Sequence, residues 1–148
     1  MSSALQRRVL LLARADYRLP DDFLDAIAKL EQRSDEIIPR VLEAGGQVVL
    51  DQVRSNLSGV LSGTSTGELE GALGLAPARI DRNGNWNAKV GFSEPRKGGE
   101  SNAKIANILE FGKHNQPARP FLKRAKVTAR SPSIEAMRRA LEREVDRL

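Results

Sequence analysis

The sequence predicts an α+β fold: a long helix packed on a small antiparallel sheet, itself a hairpin plus one or two further strands, with short C-terminal helices. Three observations predict it. Ile38, Val41, Leu42, Val49, Val53 and Leu57 recur at three- and four-residue steps, the spacing of one helix face. Asn83-Gly84 separates Ala78-Arg79-Ile80 from a run in which Ala88, Val90 and Phe92 alternate with other residues, the best short-range sign of a hairpin. The 148 residues, 40% of them hydrophobic, are enough for one modest core. The chain therefore divides into an N-terminal extension, residues 1–18, and a single α+β domain, residues 19–148.

The elements follow in order. Leu5, Val9 and Leu12 give residues 4–17 a helical reading, with no capping residue to start it. Pro20, Asp21 and Asp22 open a second helix, because proline suits a first turn and acids there complement the helix dipole. Phe23, Ile27 and Leu30 are its apolar stripe. Ser34 or Asp35 is positioned to cap the long helix. Gly45-Gly46 sits inside that helix at a cost of about 1 kcal/mol per glycine, which implies close approach by another backbone, such as a crossing strand.

Leu57 to Gly74 is rich in Ser, Thr and Gly and reads as a polar loop. The hairpin follows, with Trp86 placed to cover the sheet, and Ser93–Ser101 reads as a second loop. Asn102 is expected to cap a helix that buries Ile105, Ile108 and Leu109, stopped by Gly112. Pro120 starts a helix carrying Phe121, Leu122 and Ala125. Ser131-Pro132 punctuates it, and the last helix is expected to bury Ile134, Met137, Leu141, Val145 and Leu148.

Composition closes several functional routes. No cysteine means no disulfide, thiolate or cysteine metal site, and a single histidine rules out a histidine cluster. Val9 to Ala13 is too short an apolar run for a signal peptide or a membrane span, so the protein is read as cytosolic where it is made. The pair Gly98-Gly99 beside Lys97 lacks the order and the strand-to-helix context of a phosphate-binding loop. Glu68 and Glu70 fall on opposite faces of an extended segment and make a poor acid–base pair.

Charge is concentrated. The formal net charge is +5, and residues 119–148 hold nine Lys/Arg against four Asp/Glu, so the rest of the chain is balanced. Phe111 to Ile134 contains no acid while carrying Lys113, Arg119, Lys123, Arg124, Lys126 and Arg130. Such a stretch is either a solvated face or a contact for an acidic partner or DNA.

The informative segment is Ala106 to Leu122. Glu110-Phe111-Gly112 ends one helix, a polar turn follows, and Pro117-Ala118-Arg119-Pro120-Phe121-Leu122 launches the next. This resembles the signature of small tail-component proteins of long-tailed bacteriophages, the tail-completion or head–tail joining proteins. Thr66-Gly67-Glu68-Leu69-Glu70-Gly71-Ala72-Leu73 is similar to a second segment of that family, making Thr66, Gly67 and Leu69 further motif residues. The order of elements matches from about Leu19 onward. The extension of about eighteen residues, Ala72 where serine is usual, and the missing Pro-Val-Asp before Thr66-Gly67 are departures.

The resemblance implies a structural virion protein and no enzyme or cofactor. Copies would form a ring, taken as hexameric, at the neck or the head-proximal end of the tail, between connector proteins and tail-tube or tail-terminator proteins, with DNA passing through the lumen. The protein would lie in the virion, and in host cytoplasm during assembly. Candidate interface residues are Lys97, Gly98, Gly99, Lys113, His114 and Arg119, on the loops Ser58–Gly71 and Ser93–Ser101 and the basic turn Lys113–Arg119. Deleting Ser93–Ser101 is expected to leave the monomer folded while blocking the joining of heads to tails.

Structural readings stand beside these. Phe111 reads as a core residue over the hairpin, Phe121 as core, Gly112 as a backbone necessity and His114 as exposed. Arg119 is either an ion-pair partner of Glu110 or an inter-subunit contact. The rival functional class is a small basic nucleic-acid-binding module using Phe111–Ile134, against which stands the lack of aromatics free to stack on bases. A hydrolase would need a nucleophile motif, and none is visible.

Overall fold

The computed structural model describes residues 21–61, 67–94 and 101–148; the reading of residues 4–17, Thr66, and Lys97, Gly98 and Gly99 fall outside these, as does the Phe23 side chain. The fold is α+β. Helix α1 (Asp21–Gln32) is joined through Arg33 to the long helix α2 (Ser34–Val60). A short α3 (Glu68–Ala72) leads into β1 (Leu73–Leu75), followed by β2 (Arg79–Ile80), β3 (Trp86–Asn87) and β4 (Val90–Phe92). Helices α4 (Asn102–Phe111) and α5 (Leu122–Asp146) complete the chain.

The helix that the apolar spacing predicts, α2, forms, but its buried side is Ile37, Leu50, Val53 and Leu57, while Ile38, Val41, Leu42 and Val49 are half-buried. Its start differs from expectation. Neither Ser34 nor Asp35 caps it: Arg33 is the flanking residue, and its carbonyl accepts from Glu36 and Ile37 N–H at 3.0 Å each. Because α1 runs directly into this joint, the orphan donors of the first turn find backbone and need no side chain.

Gly45-Gly46 does admit close approach, but of side chains and not of a backbone. A Cβ on Gly45 would lie 2.5 Å from Met137 Cγ of α5, and one on Gly46 2.7 Å from Leu75 Cδ1 of β1. The pair therefore seats one side chain from each layer packed on α2. Three contacts give the direction of α5 along α2: Arg40 meets Glu144, Gly45 meets Met137, and Asn56 meets Phe121, so the helices are antiparallel.

The α5 helix corrects two expectations. Ser131-Pro132 does not end it; Pro132 lies inside one helix of 25 residues. Proline removes a single backbone bond, and packing of the rest of the helix along α2 outweighs that loss. The buried face is also not the anticipated stripe. Phe121, Ala125, Ala129, Ala140 and Glu144 are buried, whereas Ile134, Leu141 and Val145 are 53%, 39% and 39% exposed. Small side chains let two long helices approach closely, so the alanine face wins over the bulkier one.

The hairpin forms, with Gly84 at φ 81° in its turn and Asp81 Oδ1 accepting from Asn83 and Asn85 N–H at 2.8 and 3.0 Å. It is longer than the sequence suggests and interrupted. Strand β2 pairs antiparallel with β3, Ile80 opposite Trp86, and further out β1 pairs with β4, Leu73 opposite Phe92. Between the two ladders residues 76–78 face only 88–89, one extra residue on the first arm, at Pro77, which has no N–H to donate. Leu57–Gly74 is accordingly not one loop: α2 continues to Val60, Glu68–Ala72 is helical and Leu73 begins a strand. Trp86 is half-buried.

The core joins all layers. Leu50, Val53 and Leu57 of α2 meet Leu69, Leu73, Ala106, Leu109, Phe121 and Ala125, with Val90, Phe92 and Ile105 around them. The Phe92 and Phe121 rings pack edge to face, centroids 6.2 Å apart at 74°.

Candidate functional site

The segment from Glu110 to Phe121 is a corner that turns the chain from α4 into α5, and every turn of it has a bond to account for. Gly112 takes φ 76° and ψ −178°, a backbone state open to glycine, and its N–H donates to Ile108 O at 2.7 Å. A Cβ there would meet Ala118 N and Gln116 O at 2.7 Å each. Lys113 and Gln116 then exchange two backbone bonds, 2.9 and 3.0 Å, closing a tight turn over His114 and Asn115. Arg119 N–H returns to Leu109 O at 2.7 Å.

Glu110 is the keystone. It is only 6% exposed, and its carboxylate accepts from the backbone N–H groups of Phe121 (2.8 Å), Leu122 (2.9 Å) and Lys123 (2.8 Å). These are orphan donors at the start of α5, where an anion also complements the helix dipole. Burial alone would push this carboxyl up, but the three backbone donors, helped by the Lys123 charge, hold it below the ordinary value of 4.5. No side chain of α5 itself caps the helix.

Two sequence readings of this segment change. Glu110 does not pair with Arg119, since its oxygens are committed to α5. Arg119 instead donates from Nη1 to Val60 O at 3.2 Å, closing the C-terminal end of α2 while staying exposed. Phe111, expected in the core, is 76% exposed: Asn102, Ala106, Leu109 and Glu110 form the buried face of α4, and the next residue falls off that face. Phe121 is core, wholly buried, with its carbonyl accepting from Asn56 Nδ2 at 3.2 Å. His114 is exposed, as are Lys113, Pro117 and Ala118.

The second motif is built in the same spirit. Gly67 takes φ 79° at the start of α3, its carbonyl accepts from Gly71 N–H at 2.9 Å, and Leu69 inserts into the core at 4% exposure. Next to the Ser93–Ser101 segment, Ser101 Oγ and not Asn102 caps α4, accepting from Lys104 N–H at 3.1 Å. Asn102 is buried and donates from Nδ2 to Ser93 O at 2.8 Å. Deleting Ser93–Ser101 whole would therefore remove both an anchor and a cap.

Sequence reasoning missed Asn102 as an anchor and Glu144 as a buried acid. Glu144 is 4% exposed and accepts from Arg40 Nη1 at 3.3 and 3.2 Å, tying the end of α5 to the start of α2. Its signal was its place on the alanine face of α5. Among the described residues no three of His, Cys, Asp and Glu are grouped to hold a metal ion, and no helix is long and apolar enough to cross a membrane.

What this geometry defines is a small α+β scaffold whose motif residues build a hydrogen-bonded, solvent-facing corner carrying Phe111, Lys113, His114 and Arg119. A family model described as "Bacteriophage HK97-gp10, putative tail-component" matches residues 21–112. The match covers more than half of the chain, and the chain belongs to this family, a family of structural components of the phage tail and so of the virion. The matched span takes in Glu110, Phe111 and Gly112, and α5 lies beyond it. No curated protein and no solved structure gave a match.

Proposed function

We propose that this chain works at the neck or the head-proximal end of the tail, in head–tail joining or tail completion, as a ring of copies that contacts the virion proteins above and below it. In this reading residues 19–148 act as one domain behind the extension 1–18, and catalysis plays no part. The observation that carries the proposal is the corner at Glu110–Phe121. Its buried carboxylate, positive-φ glycine and closed turn hold an aromatic and several cations out to solvent in a fixed geometry. An exposed phenylalanine beside an arginine is a composition enriched at protein interfaces. A heterologous contact of this kind closes into a ring when its rotation closes.

The test is complementation of phage that lack the protein. Wild-type protein is expected to restore infectious particles. Phe111→Ser with Lys113→Glu, both on exposed side chains, is expected to leave the fold unchanged by circular dichroism while heads and tails accumulate unjoined. Normal joined particles in the absence of the protein would overturn the proposal.

One observation favours a second role for the same molecule. Lys123, Arg124, Lys126 and Arg130 are all exposed on the acid-free half of α5. In a ring whose lumen passes DNA, this half would face the phosphates. Binding of duplex DNA that weakens steeply as salt rises would support that role or the rival nucleic-acid-binding module, and no binding at low salt would remove both.

A further inference from the structure

The outer face of α5 carries an apolar seam that nothing among the described residues covers. Val127, Ile134 and Leu141 stand seven residues apart and are 74%, 53% and 39% exposed, with Val145 beside them at 39%. Seven-residue spacing keeps these side chains on one stripe of the helix, with Ser131 and Arg138 standing between them. The buried face of the same helix, centred on Ala125, Ala129 and Ala140, is already used against α2. The exposed stripe is thus free to take a partner of its own.

We propose that this seam docks on the same seam of a second copy, antiparallel, with the two-fold axis at Ile134. Two features select that occupant and that direction. The seam is symmetric about its centre, since Val127 and Leu141 each lie seven residues from Ile134, so reversal places Val127 against Leu141 of the second copy and Ile134 against itself. Charge decides the direction. The first half of α5 holds Lys123, Arg124, Lys126 and Arg130 and no acid, while the second half is close to neutral, with Glu135, Glu142, Glu144 and Asp146 against Arg138, Arg139 and Arg143. A parallel pair would stack the two basic halves side by side. The antiparallel pair separates them and brings Arg124 of each copy to Glu142 of the other, twice by symmetry, because both residues flank the seam on the same side. Within one chain Glu142 is held by Arg138, which also bridges Glu135, so the acid is already positioned beside the seam.

A single helix pair is at the small end of stable interfaces, so the dimer is one of purified protein at moderate concentration and depends on dilution. An isologous contact on α5 pairs two molecules and leaves the Glu110–Phe121 corner free, while it competes with DNA for Arg124.

The absence of cysteine makes the test direct. Sedimentation of the full chain is expected to show twice the 16.2 kDa monomer mass at high concentration, dissociating on dilution. Ile134→Asp, on an exposed side chain, is expected to weaken dimerisation about tenfold or more with unchanged circular dichroism. On mild oxidation Ile134→Cys should cross-link to itself, and Val127→Cys should cross-link to Leu141→Cys in a mixture but not to itself. Arg124→Glu and Glu142→Arg should each weaken the dimer, and the double variant should regain it. A chain that stays monomeric at all concentrations, an oligomer that Ile134→Asp leaves intact, or self-cross-linking of Val127→Cys in preference to Ile134→Cys would each overturn the proposal.

Discussion

Replacing Glu110 with glutamine tests the corner at its most committed group. The carboxylate accepts three backbone N–H bonds of 2.8, 2.9 and 2.8 Å while only 6% exposed. Hydrogen bonds to a charged group contribute roughly 1.5–3 kcal/mol each, but three on one carboxylate are not additive, and N–H groups at a helix start recover some bonding to water. Glutamine keeps one acceptor oxygen and turns an NH2 toward a backbone donor, so Glu110→Gln should cost about 2–3 kcal/mol. Glu110→Ala, which orphans all three donors and leaves a void, should cost about 3–5 kcal/mol. Urea denaturation at pH 7 measures both. The pH dependence gives an independent reading. The folded pKa lies below the ordinary 4.5, so the stabilisation is fully present above that value and is lost as pH falls through the depressed folded pKa. Wild type should therefore lose stability on acidification in that window, and Glu110→Gln should show a flatter profile there. A Glu110→Gln variant within about 0.5 kcal/mol of wild type, with the same acid slope, would refute the reasoning.

Gly112→Ala should destabilise by about 2 kcal/mol or more in urea titrations, because φ 76° strains any side chain and the new Cβ would lie 2.7 Å from two backbone atoms. Phe121→Ala should cost about 3–5 kcal/mol as a fully buried aromatic, whereas Phe111→Ser should stay within about 0.5 kcal/mol in the same assay. Gly45→Ala should lose stability despite alanine's better helix propensity, because its Cβ would meet Met137 Cγ at 2.5 Å; a double variant adding Met137→Ala should show a coupling energy above about 0.5 kcal/mol in a denaturation cycle.

The parts of this fold that were legible in the sequence are those governed by local rules. The spacing of Ile38 through Leu57 marks α2, Asn83-Gly84 marks a turn, and Gly112 marks a helix stop, since each depends on neighbours within a few residues. What stayed hidden depends on distant partners. Pro132 reads as a boundary, but the packing of α5 along α2 carries the helix through it. Ile134, Leu141 and Val145 read as core because they are the bulkier apolar residues of their helix, yet the close approach of α2 favours Ala125, Ala129 and Ala140. Glu110 and Phe111 both read as motif residues, but which of them turns inward depends on the face of α4 that packs on the core, and Glu110 finds its partners in three N–H groups eleven to thirteen residues away. The anchor formed by Asn102 on Ser93 follows the same logic, a local cap signal overridden by a contact across a loop.

The central claim is that the Glu110–Phe121 corner is a fixed contact surface of a structural virion protein. Imaging purified phage particles at side-chain resolution tests it most directly. The expected result is a ring of this chain between head and tail, with Phe111 and the Lys113–Arg119 turn buried against a neighbouring subunit or virion protein. Particles that lack the chain, or a ring in which Phe111 remains open to solvent, would contradict it.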